Sequence, residues 1–243
     1  MTLYDELGRS YTRTRQTDPR IAAVIWEALG DARTVVNVGA GTGSYEPPDR
    51  DVTAVEPSEV MLAQRPPGAA PVVRASAEAL PFADRSFDAA MAVLTLHHWR
   101  DWRRGAQELL RVARRVVVLS WAPTFAGRLW VSAEYFPELV DEDVRSFPSL
   151  ADQAGALRAT RVTPVLIRHD CADGFYGAHW RRPEAYLDPD VRAGISTLAK
   201  RTPEELAGGL ERLRADLESG AWAERHTDLL AHDELDLGYR LLT

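Results

Sequence analysis

Val35-Val36-Asn37-Val38-Gly39-Ala40-Gly41-Thr42-Gly43-Ser44 runs a short apolar segment into three glycines at alternate positions. The apolar part reads as a buried strand. The glycines let the chain turn sharply where that strand ends, and they remove the Cβ atoms that would hold a ligand at a distance. Glu56 closes a second apolar run, Val52-Thr53-Ala54-Val55. At the carboxyl end of the neighbouring strand its carboxylate is expected to accept hydrogen bonds from both hydroxyls of a ribose, so that its removal weakens binding with little effect on the fold. A tight turn with no ligand is the plain alternative. The spacing separates ligand classes: a dinucleotide fingerprint needs a third glycine where Ser44 stands, and no Gly-Lys-Ser/Thr of a phosphate loop follows. A nucleoside without phosphates is what this turn suits.

Outward from this stretch, strands alternate with helical segments, as a parallel doubly wound sheet requires. Strands are expected at Thr34–Val38, Val52–Val55, Val72–Arg74, Phe87–Leu94, Arg115–Ser120, Arg161–Ile167 and Leu237–Leu242. Asp18-Pro19 caps and starts a helix whose Ile21, Val24, Ile25, Ala28 and Leu29 share one face, and Gly30 stops it. Further helices are expected from Ser58, over Trp102–Val112, over Leu129–Leu139 and over Leu150–Ala156. About 65 residues then separate the last two strands, more than an ordinary loop. This insertion holds an aromatic, arginine-rich segment from Phe175 to Tyr186. It also holds a helix with marked ends: Thr202, Pro203 and Glu205 form the start, and Gly220 the stop. Leu206, Leu210, Leu213 and Leu217 form a packing face. An insertion here lies near the carboxyl ends of the strands, where open α/β sheets bind ligands.

Val35 to Gly43 followed by Glu56 resembles the first two motifs of the class I S-adenosylmethionine-dependent methyltransferases. Two more motifs follow in order. Ser76-Ala77-Glu78-Ala79-Leu80-Pro81-Phe82 resembles the adenine-side loop, and Ser86-Phe87-Asp88 through His97-His98-Trp99 resembles the fourth-strand motif leading into the active site. The branch most similar is the small-molecule one called methyltransferase type 11. The resemblance implies a Rossmann-like α/β fold with a seven-stranded mixed sheet, its last strand antiparallel, and a mainly helical cap near the C-terminus. Residues 1–243 would form a single domain, with an N-terminal lid and first helix at 1–30, a cofactor-binding core at 33–122 and the cap at 170–232. It implies S-adenosyl-L-methionine as cofactor, with S-adenosyl-L-homocysteine as product.

The resemblance also assigns residues. Tyr11, Arg15, Asn37, Gly39, Ala40, Gly41, Gly43, Glu56, Pro57, Ser76, Ala77, Glu78 and Leu94 are the cofactor candidates, with Tyr11 and Arg15 aimed at the methionine carboxylate. Where the family carries an acid, this chain has Asn37, and one charge-assisted contact worth about 1 kcal/mol is lost. His97 and His98, at the end of strand four, are the candidate bases, since a histidine titrates near working pH. Trp99, Tyr176, His179 and Trp180 are candidate substrate contacts. No metal is needed, because the sulfonium already activates the methyl group. The expected reaction is in-line methyl transfer to oxygen or nitrogen, with carbon possible, of a small molecule. A cyclisation or rearrangement using the same cofactor, or a non-catalytic regulatory role, stays open.

Composition bounds the partners. The 243 residues carry a formal net charge of −7, which disfavours a nucleic-acid partner, since phosphate recognition needs a basic face. Cys171 is the only cysteine, so no intramolecular disulfide forms, and the N-terminus lacks the basic start and apolar run of a signal peptide. No stretch approaches the length of a membrane span. A cytoplasmic monomer or homodimer acting on a small-molecule methyl acceptor, with no membrane partner, is expected.

Overall fold

A computed structural model describes residues 11–243, except for the side chains of Tyr11, Glu142, Asp143 and Ser146. Residues 1–10 of the expected lid, and the Tyr11 side chain, lie outside the described part. Among the described residues nine strands are seen: Thr34–Val38 (β1), Asp51–Val55 (β2), Val72–Val73 (β3), Phe87–Val93 (β4), Ala113–Trp121 (β5), Val162–Pro164 (β6), Ile167–Arg168 (β7), Glu234–Leu235 (β8) and Tyr239–Leu242 (β9). Seven form one sheet in the order β3-β2-β1-β4-β5-β9-β6. The first five pair in parallel, and β9 runs antiparallel to both of its neighbours. The expected mixed sheet with an antiparallel last strand is therefore present.

Period-two alternation sets the two faces. Val35 of β1, Ala89 and Met91 of β4, and Val117 and Leu119 of β5 pack with Ile21, Ile25 and Leu29 of the helix Pro19–Leu29. Their chain neighbours Val36, Ala90, Ala92 and Val118 pack instead with Leu109 and Val112 of the helix Trp102–Val112. Side chains that alternate across a strand and are buried on both sides are what a doubly wound sheet demands. Each large aliphatic side chain so buried contributes roughly 1.5–3 kcal/mol. A third core packs Trp130, Tyr135 and Phe136, from the segment after β5, against Tyr186, Leu206, Leu213 and Trp222 of the insertion.

The helix ends follow their local signals. Asp18 Oδ1 accepts from the amides of Arg20 and Ile21. Thr202 and Glu205 form a reciprocal capping box, and Gly220 ends that helix with φ +82°. One strand departs from expectation. Arg161–Ile167 is not continuous: β6 pairs with β9 through Pro164, Val165 still donates to Tyr239 O at 2.9 Å, and the pairing with β9 then stops. The chain then leaves the main sheet, and Ile167–Arg168 pairs with Glu234–Leu235 in a separate two-stranded ribbon. Among the described residues no helix is long and apolar enough to cross a membrane.

Candidate functional site

The parallel strands β1 to β4 bring their carboxyl ends to one edge, so the segments after them gather there whatever their distance in sequence. At β1, Gly39 and Ala40 donate their amides to Val55 O at 2.9 and 3.0 Å, folding the glycine loop back over β2. Gly39 has φ +73°, and a Cβ on it would lie 2.3 Å from Thr95 Oγ1. Only glycine fits there. The loop lines a cleft of about 370 Å³ through Asn37, Gly39, Ala40, Gly41, Thr42 and Ser44, with Arg15, Tyr45 and Val93 opposite. Gly43 closes the turn by donating to Ala40 O at 2.9 Å.

Glu56, expected to serve a ribose, also holds the loop. Its Oε2 accepts from Gly41 N–H at 2.9 Å and its Oε1 from Ser58 N–H at 2.9 Å. Two backbone amides thus depend on this carboxylate, itself 7 % exposed, so its removal is expected to loosen the loop as well as weaken binding. A carboxylate offers about four lone-pair positions, so acceptor capacity remains for ribose hydroxyls. A glycine cradle with no Cβ and a carboxylate beside it fit an adenosyl group. Pro57 follows Glu56. Ser76, Ala77 and Glu78 follow β3 at the same edge, where Ala77 is buried, Ser76 is exposed and Glu78 Oε1 accepts from Asp101 N–H at 3.2 Å.

Asn37 is buried, and its Nδ2 donates to Glu46 Oε1 at 3.2 Å. Arg65 Nη2 in turn holds both Glu46 oxygens at 2.9 and 2.8 Å. Neither Glu46 nor Arg65 belongs to a recognisable motif, and they were not legible as part of the site. The same is true of Tyr45, whose hydroxyl donates to Asp173 Oδ2 at 2.8 Å while its amide donates to Thr17 Oγ1. Burial, with the Asp173 charge beside it, pushes the Tyr45 hydroxyl well above the usual range and keeps it protonated. Arg15 Nε lies 2.6 Å from Asp173 Oδ1.

A second cavity, of about 620 Å³, adjoins the cleft. Leu94 lines it while the preceding Val93 lines the cleft, and Arg15 lines both. Leu94 sits in the left-handed region at φ +51°, where β4 ends and a short 3-10 turn, Leu96–His98, begins. That turn delivers His97 and His98 to the cavity wall. Their rings lie 3.7 Å apart, and His97 stacks on Phe147 at 4.1 Å. Burial, reinforced by Lys200 and Arg15, pushes His98 down to about 3; burial and its histidine neighbour push His97 well below the usual value. Both rings are therefore neutral at pH 7, which replaces the expectation of a histidine titrating near neutrality.

The remaining wall comes from the cap and the strand ends. Trp121, Phe175, Tyr176 and Tyr239 supply aromatic surface, Leu129, Ile195 and Leu237 aliphatic surface, and Ser196 and Thr197 hydroxyls. Of the four expected substrate contacts, Tyr176 is here, its hydroxyl 2.8 Å from Ser132 Oγ. The other three are elsewhere. Trp99 packs over Gly105, where a Cβ would lie 2.3 Å from the indole ring. His179 is buried edge-on against Tyr186. Trp180 is fully buried, with its indole donating to Ile167 O at 3.0 Å and its carbonyl accepting from Trp130 Nε1 at 2.8 Å. In an aromatic-rich segment the residues facing the interior and those facing a cavity have the same composition, so sequence does not sort them.

Comparison with known proteins gives a consistent result. A family model described as a methyltransferase domain matches residues 36–119. A solved structure from Anabaena variabilis, described as a methyltransferase from an antibiotic biosynthesis pathway, is 34 % identical; the match covers 94 % of this chain and 97 % of that one with a TM-score of 0.87. A demethylmenaquinone methyltransferase from Renibacterium salmoninarum is 28 % identical over 171 residues, 63 % of this chain and 69 % of the relative. The cyclase SpnF shares the fold at 19 % identity, with a TM-score of 0.54 over 99 % of this chain and 94 % of its own.

Proposed function

Since the chain belongs to the class I S-adenosylmethionine-dependent methyltransferases, we propose that it is an enzyme that methylates an oxygen or nitrogen, with carbon possible, of a small molecule. One observation carries this reading. Consecutive residues at the end of β4, Val93 and Leu94, line a cleft suited to an adenosyl group and a separate apolar cavity, and Arg15 borders both. Donor and acceptor compartments that meet at one point are what in-line displacement needs, and such positioning supplies several kcal/mol of the barrier. S-adenosylmethionine, when bound, brings an already electrophilic methyl group. The glycine loop and Glu56 would hold its nucleoside, Asn37 and Arg15 would face its amino-acid end, and the neutral His97–His98 pair would accept a hydrogen bond from the acceptor. The aromatic wall would exclude water.

Residues 33–122 then act as the cofactor core and residues 170–232 as the cap over the acceptor. The net charge of −7 suits a small-molecule acceptor in the cytoplasm better than a polyanion. The test is an acceptor screen with isotopically methyl-labelled S-adenosylmethionine. Stoichiometric S-adenosylhomocysteine and a product heavier by one labelled methyl support methyl transfer. Turnover of the acceptor with the cofactor left intact would assign cyclisation or rearrangement instead.

A further inference from the structure

We propose that the larger cavity takes an uncharged, largely apolar, planar acceptor and presents its acidic hydroxyl, a phenol or enol, to His97 and His98; this rests on the methyltransferase reading above. Planarity follows from the wall beside the histidines. Phe147 lies nearly parallel to His97, 23° between planes, and Trp121 meets Phe147 edge-on at 4.9 Å, so a flat ring continues the stack while a bulky saturated one does not. Leu94, Leu129 and Ile195 complete an apolar surface.

The absence of charge follows from how Arg15 is committed. It is the only formally charged side chain among the described lining residues at neutral pH, and Asp173, at 1 % side-chain exposure, already neutralises it. No carboxylate among them faces the cavity to receive a cation. Lys200 stands close enough to bias the histidines, but it is exposed to solvent and does not line the cavity. An ionic acceptor would lose its hydration without a paired countercharge.

Acidity of the hydroxyl follows from the histidines. Packed against one another and Phe147, they are weak bases, mismatched to an alkyl alcohol but closer to a phenol with a pKa of about 10. The step balances. The acceptor proton passes to an imidazole nitrogen and then to water, the acceptor oxygen forms the new O–C bond, and the electron pair of the broken C–S bond stays on sulfur.

The experiment is calorimetry on the protein saturated with S-adenosylhomocysteine, using 1-naphthol, naphthalene, 1-naphthoate and 1-naphthylmethylammonium. The expected result is 1-naphthol binding at least tenfold tighter than either ion and at least threefold tighter than naphthalene, with Phe147→Ala weakening it tenfold. Either ion matching 1-naphthol, naphthalene matching it, millimolar or weaker binding of all four, or an unchanged affinity in Phe147→Ala overturns the proposal. Failure of S-adenosylhomocysteine itself to bind in the first titration rejects the methyltransferase reading. Its binding followed by an ionic preference rejects the acceptor class alone.

Discussion

Arg15 and Asp173, 158 residues apart in the chain, meet with Nε 2.6 Å from Oδ1, and Arg15 lines both the glycine-loop cleft and the larger cavity beside it. Their side chains are 13 % and 1 % exposed. Removing one partner of so buried a pair leaves the other charge uncompensated, at a cost of roughly 3–5 kcal/mol. Arg15→Ala is therefore expected to lower the thermal midpoint by several degrees, and adding Asp173→Ala is expected to restore part of the loss. A double-mutant cycle by thermal melts checks this; additive losses would mean that the two side chains do not act as a pair.

Cofactor recognition gives the second prediction. S-adenosylhomocysteine should bind at micromolar strength and nicotinamide dinucleotides should not, because the third fingerprint glycine is replaced by Ser44. Competitive calorimetry decides it, and tight nicotinamide binding alone would reverse the assignment.

Glu56→Ala is expected to weaken S-adenosylhomocysteine by roughly 2–3 kcal/mol, as charge-assisted hydrogen bonds to the ribose disappear. The apo protein should also melt earlier, because Gly41 and Ser58 lose their acceptor. Glu56→Gln, which keeps one acceptor oxygen, should recover most of the stability and less of the affinity. Equal recovery of both would tie the residue to the loop alone.

His179 makes a pH-dependent contribution to stability. Both ring nitrogens lack a hydrogen-bond partner among the described residues, and burial, with Arg182 nearby, pushes the group down to about 4. The unfolded chain titrates at about 6.5, so between pH 4 and 6.5 it binds more protons than the native state. The contribution is complete above pH 6.5 and is lost as pH falls toward 4. His179→Leu should therefore reduce the drop in melting temperature between pH 7 and pH 5. An unchanged drop would show that this ring does not titrate on unfolding.

Tyr176 and Trp180, four residues apart, should behave differently. Tyr176→Phe touches the cavity and is expected to raise the acceptor KM, with a modest loss of stability of about 1–3 kcal/mol from the buried Ser132 hydroxyl that loses its acceptor. Trp180→Ala empties a fully buried site and should cost roughly 3–5 kcal/mol of stability. Steady-state kinetics alongside melts separates the two, and a stable, KM-altered Trp180→Ala would return that residue to the acceptor site.

What could be read from the sequence was local. The glycine loop, Glu56, the Asp18 and Thr202 caps and the alternating strands β1, β2, β4 and β5 each declare themselves within a few residues, because turns, caps and pleats are short-range physics. The break between β6 and β7 was hidden because the choice of Ile167 between two sheets depends on Glu234–Leu235, far along the chain. The partner of Arg15, the hold of Arg65 on Glu46, and the division of the aromatic segment between core and cavity are likewise long-range. The histidines were found by position, but their neutrality depends on burial and on Lys200 and Arg15, which no spacing rule connects to them.

The ribbon that joins Ile167–Arg168 to Glu234–Leu235 brings the two stems of the cap side by side. A segment whose stems are already tied together behaves as an exchangeable cassette. Doubling its length would cost only about 0.6 kcal/mol in closure entropy, so variation between these stems can reshape the acceptor chamber while the parallel sheet and its glycine loop stay unaltered. The constraints on such an exchange lie outside the cassette, at the segment 130–136 that shares its core and at Thr14. A Cβ added at Gly174 would lie 2.4 Å from its carbonyl oxygen, and one at Gly194 would lie 2.2 Å from its hydroxyl. Chimeras that replace residues 169–233 are therefore expected to need the segment around Thr14 and residues 130–136 exchanged with them, so that the cavity wall changes only as a matched set of pieces.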